Sequence, residues 1–119
     1  MNIEEYRTYC LSKKGVTESI PFPKLLTILV FKVLDKMFSA TDITTFGGIS
    51  VKAKPEEIEE LRATYTCLST QAYKHKKHWN KITLDHSVDA VLIYSLIDTS
   101  YQLVVQKLTK KQQQKLNSL

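Results

Sequence analysis

Ile3, Tyr6, Cys10 and Leu11 recur at helical spacing at the start of the chain, which predicts a helix over about Ile3 to Lys13. Asn2 is its expected cap, Glu4 and Glu5 suit the positive end of the helix dipole, and Gly15 stops it. Pro21-Phe22-Pro23 then holds Ile20 and Phe22 extended, because a residue before proline avoids the helical region. The run Leu25 to Val33 is short and rich in β-branched residues, the mark of a strand, and Leu34-Asp35 is the expected turn into Lys36 to Ala40. A two-residue loop pairs Phe31 with Phe38 and Leu29 with Ala40 on the core face, leaving Lys32 and Met37 on the other.

Gly47-Gly48 marks a further turn, and Ile49 to Ala53 alternates as a strand with Ser50 and Lys52 outward. Pro55 opens a second helix whose start is crowded by Glu56, Glu57, Glu59 and Glu60, a solvated face matched to the dipole, with Ile58, Leu61 and Tyr65 inward. Thr66 to Tyr73 is expected to be extended, Lys74 to His78 a turn, and Asn80 to Leu84 a strand. Ser87 or Asp85 caps a final helix reaching Leu108, its apolar face drawn from Val88, Val91, Leu92, Leu96, Tyr101, Val104 and Leu108. Thr109 to Leu119, polar and carrying Lys110, Lys111 and Lys115, reads as a frayed basic tail. The order helix, three strands, helix, two strands, helix predicts a two-layer α+β domain, an antiparallel sheet with helices on one face.

At 119 residues the chain has the length of one domain, and 43% hydrophobic residues are enough for a real core without staples. Two cysteines, Cys10 and Cys67, have neither zinc nor redox spacing and read as free thiols. The start Met1 to Glu5 is acidic, unlike a signal peptide, and the run Leu25 to Leu34 is too short for a bilayer, so a cytoplasmic protein is expected.

A net charge of +5 alters this picture only through its distribution. Leu61 to Leu84 contains no acid but carries Arg62, Lys74, Lys76, Lys77 and Lys81, with Tyr73 and Trp79 interleaved. Cations beside a flat aromatic grip phosphates and stack bases. Lys74, Lys76, Lys77, Trp79 and Lys81, extended by Lys32 and Lys52 from the outer sheet face, are therefore the candidate nucleic-acid-binding residues. Trp79 has a competing role as a core anchor, and Asn80 that of tying down the local turn. His75 and His78 lie three apart, with no carboxylate or thiol at ligand spacing, so neither a metal nor another cofactor is expected. No glycine-rich phosphate loop or nucleophile elbow appears, and no catalytic residue is assigned.

The wording of several segments resembles the MmcQ/YjbR family of small bacterial proteins. The matching pieces are Tyr9-Cys10-Leu11-Ser12, Gly15-Val16-Thr17-Glu18, Pro21-Phe22, Val30-Phe31-Lys32-Val33, Lys36-Met37-Phe38 and Ile49-Ser50-Val51-Lys52. Lys76-Lys77-His78-Trp79-Asn80 is the strongest, and Asp98, Ser100-Tyr101 and Leu103-Val104-Val105 complete the series from about residue 2 to 111. Leu34-Asp35 stands where the family usually has a glycine in the first hairpin turn, and Lys24 follows Pro23 where Gly commonly follows Pro-Phe. The resemblance implies a CyaY-like or secretion-chaperone-like fold and a label of DNA binding through two hairpins viewed as wings, and brings no catalytic residue.

A non-enzymatic DNA-binding module is thus the leading expectation, its partner duplex or single-stranded DNA held electrostatically with weak sequence selectivity, since only Arg7 and Arg62 are available for base readout. The alternative is a protein-interaction module docking a partner on an exposed sheet face around Ile28, Val30 and Met37. An enzyme or small-ligand binder, which requires a pocket with convergent polar groups, comes third.

Overall fold

The computed structural model describes residues 1–70 and 75–119. Helix α1 (Ile3–Leu11) leads into strands β1 (Val16–Ser19), β2 (Ile28–Val33), β3 (Lys36–Asp42) and β4 (Gly48–Lys52). Helix α2 (Ile58–Thr64), strands β5 (Leu68–Thr70) and β6 (Trp79–Thr83), and helices α3 (Ala90–Gln106) and α4 (Lys110–Asn117) follow. The strands form one antiparallel sheet in the order β1-β2-β3-β4-β6-β5, giving the expected α+β class. Asn2 caps α1 through a reciprocal box with Glu5, each reaching the other's backbone amide.

The core lies between one sheet face and helices α1 and α3. Tyr6 and Cys10 meet Phe31 and Val33, while Ile93, Ile97, Tyr101 and Val104 meet Phe38, Ile49, Val51 and Ile82. Tyr6 stands edge-on to Phe31 with ring centroids 5.3 Å apart, and its hydroxyl is 2.7 Å from that of Ser39, which donates to the Ser50 carbonyl. At the α1–α3 seam, Asp98 accepts hydrogen bonds from both the Tyr9 hydroxyl and the Lys13 ammonium, and Tyr9 lies against Tyr94 at 4.1 Å between centroids.

Five local readings are corrected. Val16–Ser19 forms an edge strand on β2, although its four residues carry too little apolar signal to announce one. The Leu34-Asp35 turn has two residues as expected, with both in the left-handed region at φ 45° and 69°. Lys32 does oppose Met37, but a bulge then sets Phe31 against Ser39 and Val30 against Ala40, so Phe38 is the extra residue. Helix α3 is capped by Asp89, because Asp85 and Ser87 bond to each other; its inward stripe runs through Ile93 and Ile97, leaving Val91 73% exposed. The tail is no frayed end: Thr109 and Gln112 form a capping box, Leu116 is buried, and Gln113 donates to the Val105 carbonyl in the last turn of α3 and to the Leu108 carbonyl just beyond it.

Candidate nucleic-acid interface

Antiparallel pairing gathers the end of β4, the start of β6 and the β2–β3 hairpin at one end of the sheet. The turn before β6 is closed by the His75 carbonyl, which accepts the amides of both His78 and Trp79 at 3.0 Å. The Lys77 amide donates to His75 Nδ1, and the two imidazole rings stand 4.9 Å apart. Lys76 and Lys77 are exposed on this turn. Pairing runs one step beyond the strands, with the Ala53 amide on the His78 carbonyl at 3.0 Å. Lys74 and Tyr73 lie outside the described residues.

Arg62 on α2 holds the turn in place. Its Nε donates to Asn80 Oδ1 at 2.7 Å, and its terminal nitrogen reaches the carbonyls of Lys76 at 2.5 Å and Trp79 at 3.1 Å. A planar guanidinium suits this, since it offers a fixed fork of donors that an ammonium lacks. Asn80 is 1% exposed and ties down the turn through Arg62, not through the backbone alone. This charge is consumed by structure, so Arg62 is a positioning residue in the interface.

Trp79 is 7% exposed, so it is packed and does not present a stacking platform, but it lies outside the main core cluster, on the opposite sheet face from Asn80 and Ile82. Lys52 Nζ sits 5.5 Å from its ring centroid, a cation–π contact. Lys81 is half-buried, and its stem crosses Gly48: a Cβ there would meet Lys81 Cε at 2.5 Å. Lys32, half-buried, opposes Thr17 and Met37 on the outer face.

The residues that do converge are Lys52, Lys77 and His78, joined by Lys36 from the β2–β3 hairpin and Lys107 from the end of α3. Burial, then the charges of Lys107 and Lys36, pulls the Lys52 ammonium below its ordinary pKa. Partial desolvation, then His75, Lys107, Lys52 and Lys77, does the same to His78. Lys36 and Lys107 were missed by sequence reasoning because each is remote from the basic segment, and only the fold brings them to it. Lys52 is fixed by its backbone: its amide donates to Ser100 Oγ at 2.8 Å, and Ser100 donates in turn to the Phe38 carbonyl.

A cleft of about 300 Å³ opens among these cations, between the β4–α2 connection and the last turn of α3, lined by Lys52, Lys54, Glu56, His78, Leu103 and Lys107. Elsewhere, the sheet face expected to dock a partner exposes only part of Ile28 and Met37, which are half-buried, while Val30 is fully buried. Exposed apolar side chains lie instead on Ile20, Phe22, Leu25, Leu26 and Ile43. Among the described residues no group of three metal-ligating side chains comes together, and no helix is long and apolar enough to cross a membrane.

The YjbR family model matches residues 11–103 of the chain. The protein named YjbR of Escherichia coli K12 is 31% identical over 120 residues, covering all of both chains. The Escherichia coli O157:H7 protein YbdF is 26% identical over 88 residues, 73% of this chain and 72% of its own. Among solved structures, a Deinococcus radiodurans protein with the DUF419 domain superposes with a TM-score of 0.87 at 36% identity, covering 98% of this chain and 88% of that one. A Pseudomonas syringae protein superposes with a TM-score of 0.73 at 26% identity, covering 87% of this chain and 98% of that one.

Proposed function

We propose that this chain, which belongs to the YjbR family, is a non-enzymatic module that binds DNA through its backbone phosphates. The surface is the cationic end of the sheet: Lys36, Lys52, Lys76, Lys77 and Lys107, with His78 among them. One observation carries the reading. Lys52, Lys54, His78 and Lys107, from β4, its connection to α2, the His75 turn and the end of α3, line one cleft, and after burial the charges of Lys107 and Lys36 help to pull the Lys52 ammonium down. Like charges held together lower in energy when an anion joins them.

Recognition would be electrostatic and weakly selective. Trp79 is too buried to stack a base, and Arg62 is occupied. Titration of fluorescein-labelled duplex and single-stranded DNA across salt tests this. If four lysines each neutralise one phosphate, log K falls against log salt with a slope of about −3.6 on duplex. A Lys77→Glu/Lys107→Glu variant, both exposed, abolishes binding while folding normally. Binding that survives this double reversal, or fails even at about 50 mM salt, overturns the proposal.

A second reading, a protein-docking module, draws on the exposed apolar residues Ile20, Phe22, Leu25 and Leu26 of the β1–β2 connection. It predicts a partner whose binding is insensitive to salt and lost in Leu26→Asp.

A further inference from the structure

We propose that the cleft between the β4–α2 connection and the end of α3 is a phosphate-monoester site, in which Lys52, Lys54 and Lys107 hold the dianion and His78 donates a hydrogen bond. The ligand chemistry is a terminal phosphate, supplied by the end of a nucleic-acid strand or by a nucleoside monophosphate. The inference rests on the reading that the cationic end of the sheet faces phosphates, and adds which phosphate it holds.

Charge and size carry the argument. Three lysines face one carboxylate, Glu56, leaving two unmatched positive charges in the cleft. A monoester carries about −1.5 to −2 at neutral pH, whereas each internal diester of a strand carries a single charge. A volume of about 300 Å³ admits a phosphate with part of a sugar but no duplex. Ala53, Pro55 and Leu103 supply apolar wall beside the lysines, as a sugar edge requires. Two other cavities among the described residues, one around Phe46 and His86 and one around Glu4 and Tyr9, are lined by no lysine or arginine.

The end of α3 is the negative pole of a helix and would by itself repel an anion. Gln113 offsets this in part by donating its amide to the α3 carbonyls of Val105 at 3.2 Å and Gln106 at 3.5 Å, and to that of Leu108, just beyond the helix, at 3.1 Å. His78 faces His75 and Lys77 from its own turn, Lys52 from β4, Lys107 from α3 and, across the cleft, Glu56. An added dianion offsets the net positive charge of that set, so phosphate binding draws a proton onto the imidazole and raises its pKa.

The experiment compares one single-stranded oligonucleotide with a 5′-phosphate or a 5′-hydroxyl, at fixed salt, against the full chain, Lys54→Gln/Lys107→Gln, and Lys111→Gln as a control outside the cleft. Alongside it, the His78 imidazole is titrated by NMR with and without uridine 5′-monophosphate. The expected result is about tenfold tighter binding of the phosphorylated strand, lost in the double variant and kept in Lys111→Gln, with the His78 pKa raised by the nucleotide. Equal, salt-sensitive binding of both strands overturns the monoester site and leaves the DNA-binding proposal intact. Binding of the nucleotide with neither strand bound upholds the cleft, with free nucleotide as its source, and overturns the DNA reading. No binding of any of the three overturns both.

Discussion

The Ser100 hydroxyl accepts the Lys52 amide at 2.8 Å and donates to the Phe38 carbonyl at 2.5 Å, so a side chain from α3 bridges strands β3 and β4 where their ladder stops. The bridge joins the bulged residue of β3 to the lysine at the centre of the cationic cluster. Ser100→Ala leaves the buried Phe38 carbonyl and the part-buried Lys52 amide without this partner and is expected to cost about 2–4 kcal/mol in urea denaturation. It should also weaken binding of DNA at constant salt, because Lys52 loses its anchor. A neutral effect on both would deny the bridge its role.

Arg62→Lys is expected to behave as a damaging substitution, lowering stability by about 1.5–3 kcal/mol, since an ammonium cannot reproduce the fork across Asn80, Lys76 and Trp79. Trp79 is the lone tryptophan and is packed, so its emission should be blue in the wild type and shift red in the variant. Amide exchange at His78 and Trp79 should accelerate in parallel. Unchanged exchange there would show that the turn holds itself.

Stability should decline at alkaline pH. Burial pushes the Cys10 thiol up from 9.0 to about 12, and burial with the Asp98 hydrogen bond lifts Tyr9 from 10.0 to about 12. Below about pH 9 both groups are protonated in folded and unfolded chains alike, so this contribution is fully present. As pH rises from there toward 12, the unfolded chain releases protons that the folded one keeps, and the contribution is lost. Cys10 alone accounts for up to about 4 kcal/mol across that window. Cys10→Ala should flatten the alkaline limb of a urea-midpoint profile, and the native thiol should resist iodoacetamide.

Removing residues 110–119 is expected to destabilise the chain by about 2–4 kcal/mol, through loss of the buried Leu116 and exposure of the carbonyls that Gln113 covers. A frayed tail would be removed without effect on the melting temperature.

Asp35→Gly tests the hairpin. Both residues of the turn have positive φ, and glycine at the second releases about 1 kcal/mol of left-handed strain. The melting temperature should rise by a few degrees. A fall would mean that the Asp35 side chain contributes more than its backbone costs.

How far these features were legible depends on the range of the interaction that makes them. Ile49 to Lys52 announced β4 because alternation is written in adjacent residues, and Asn2 with Glu5 announced a cap for the same reason. The bulge at Phe38 was not legible, since an extra residue in a ladder leaves no local mark. The stripe of α3 was misplaced because Val91, Leu92, Ile93, Leu96 and Ile97 make several faces apolar, and only packing on Phe38 and Ile82 chooses among them. At the candidate site, the exposure of Lys76 and Lys77 was visible in the turn they occupy. The contributions of Arg62, Lys36 and Lys107 were not, because each reaches the site from another element.

Gly15 has φ +75°, and a Cβ on it would meet Leu116 Cδ1 at 2.5 Å, so the early turn is shaped to receive a side chain from the last helix. On a ribosome, then, the first helix and edge strand emerge long before the residue that covers them. The β2–β3 hairpin and β4 can pair as they appear, each waiting only for its immediate successor. This end of the molecule cannot close until synthesis has nearly run through residue 116, and during that interval its apolar seam is open to chaperones and to other nascent chains.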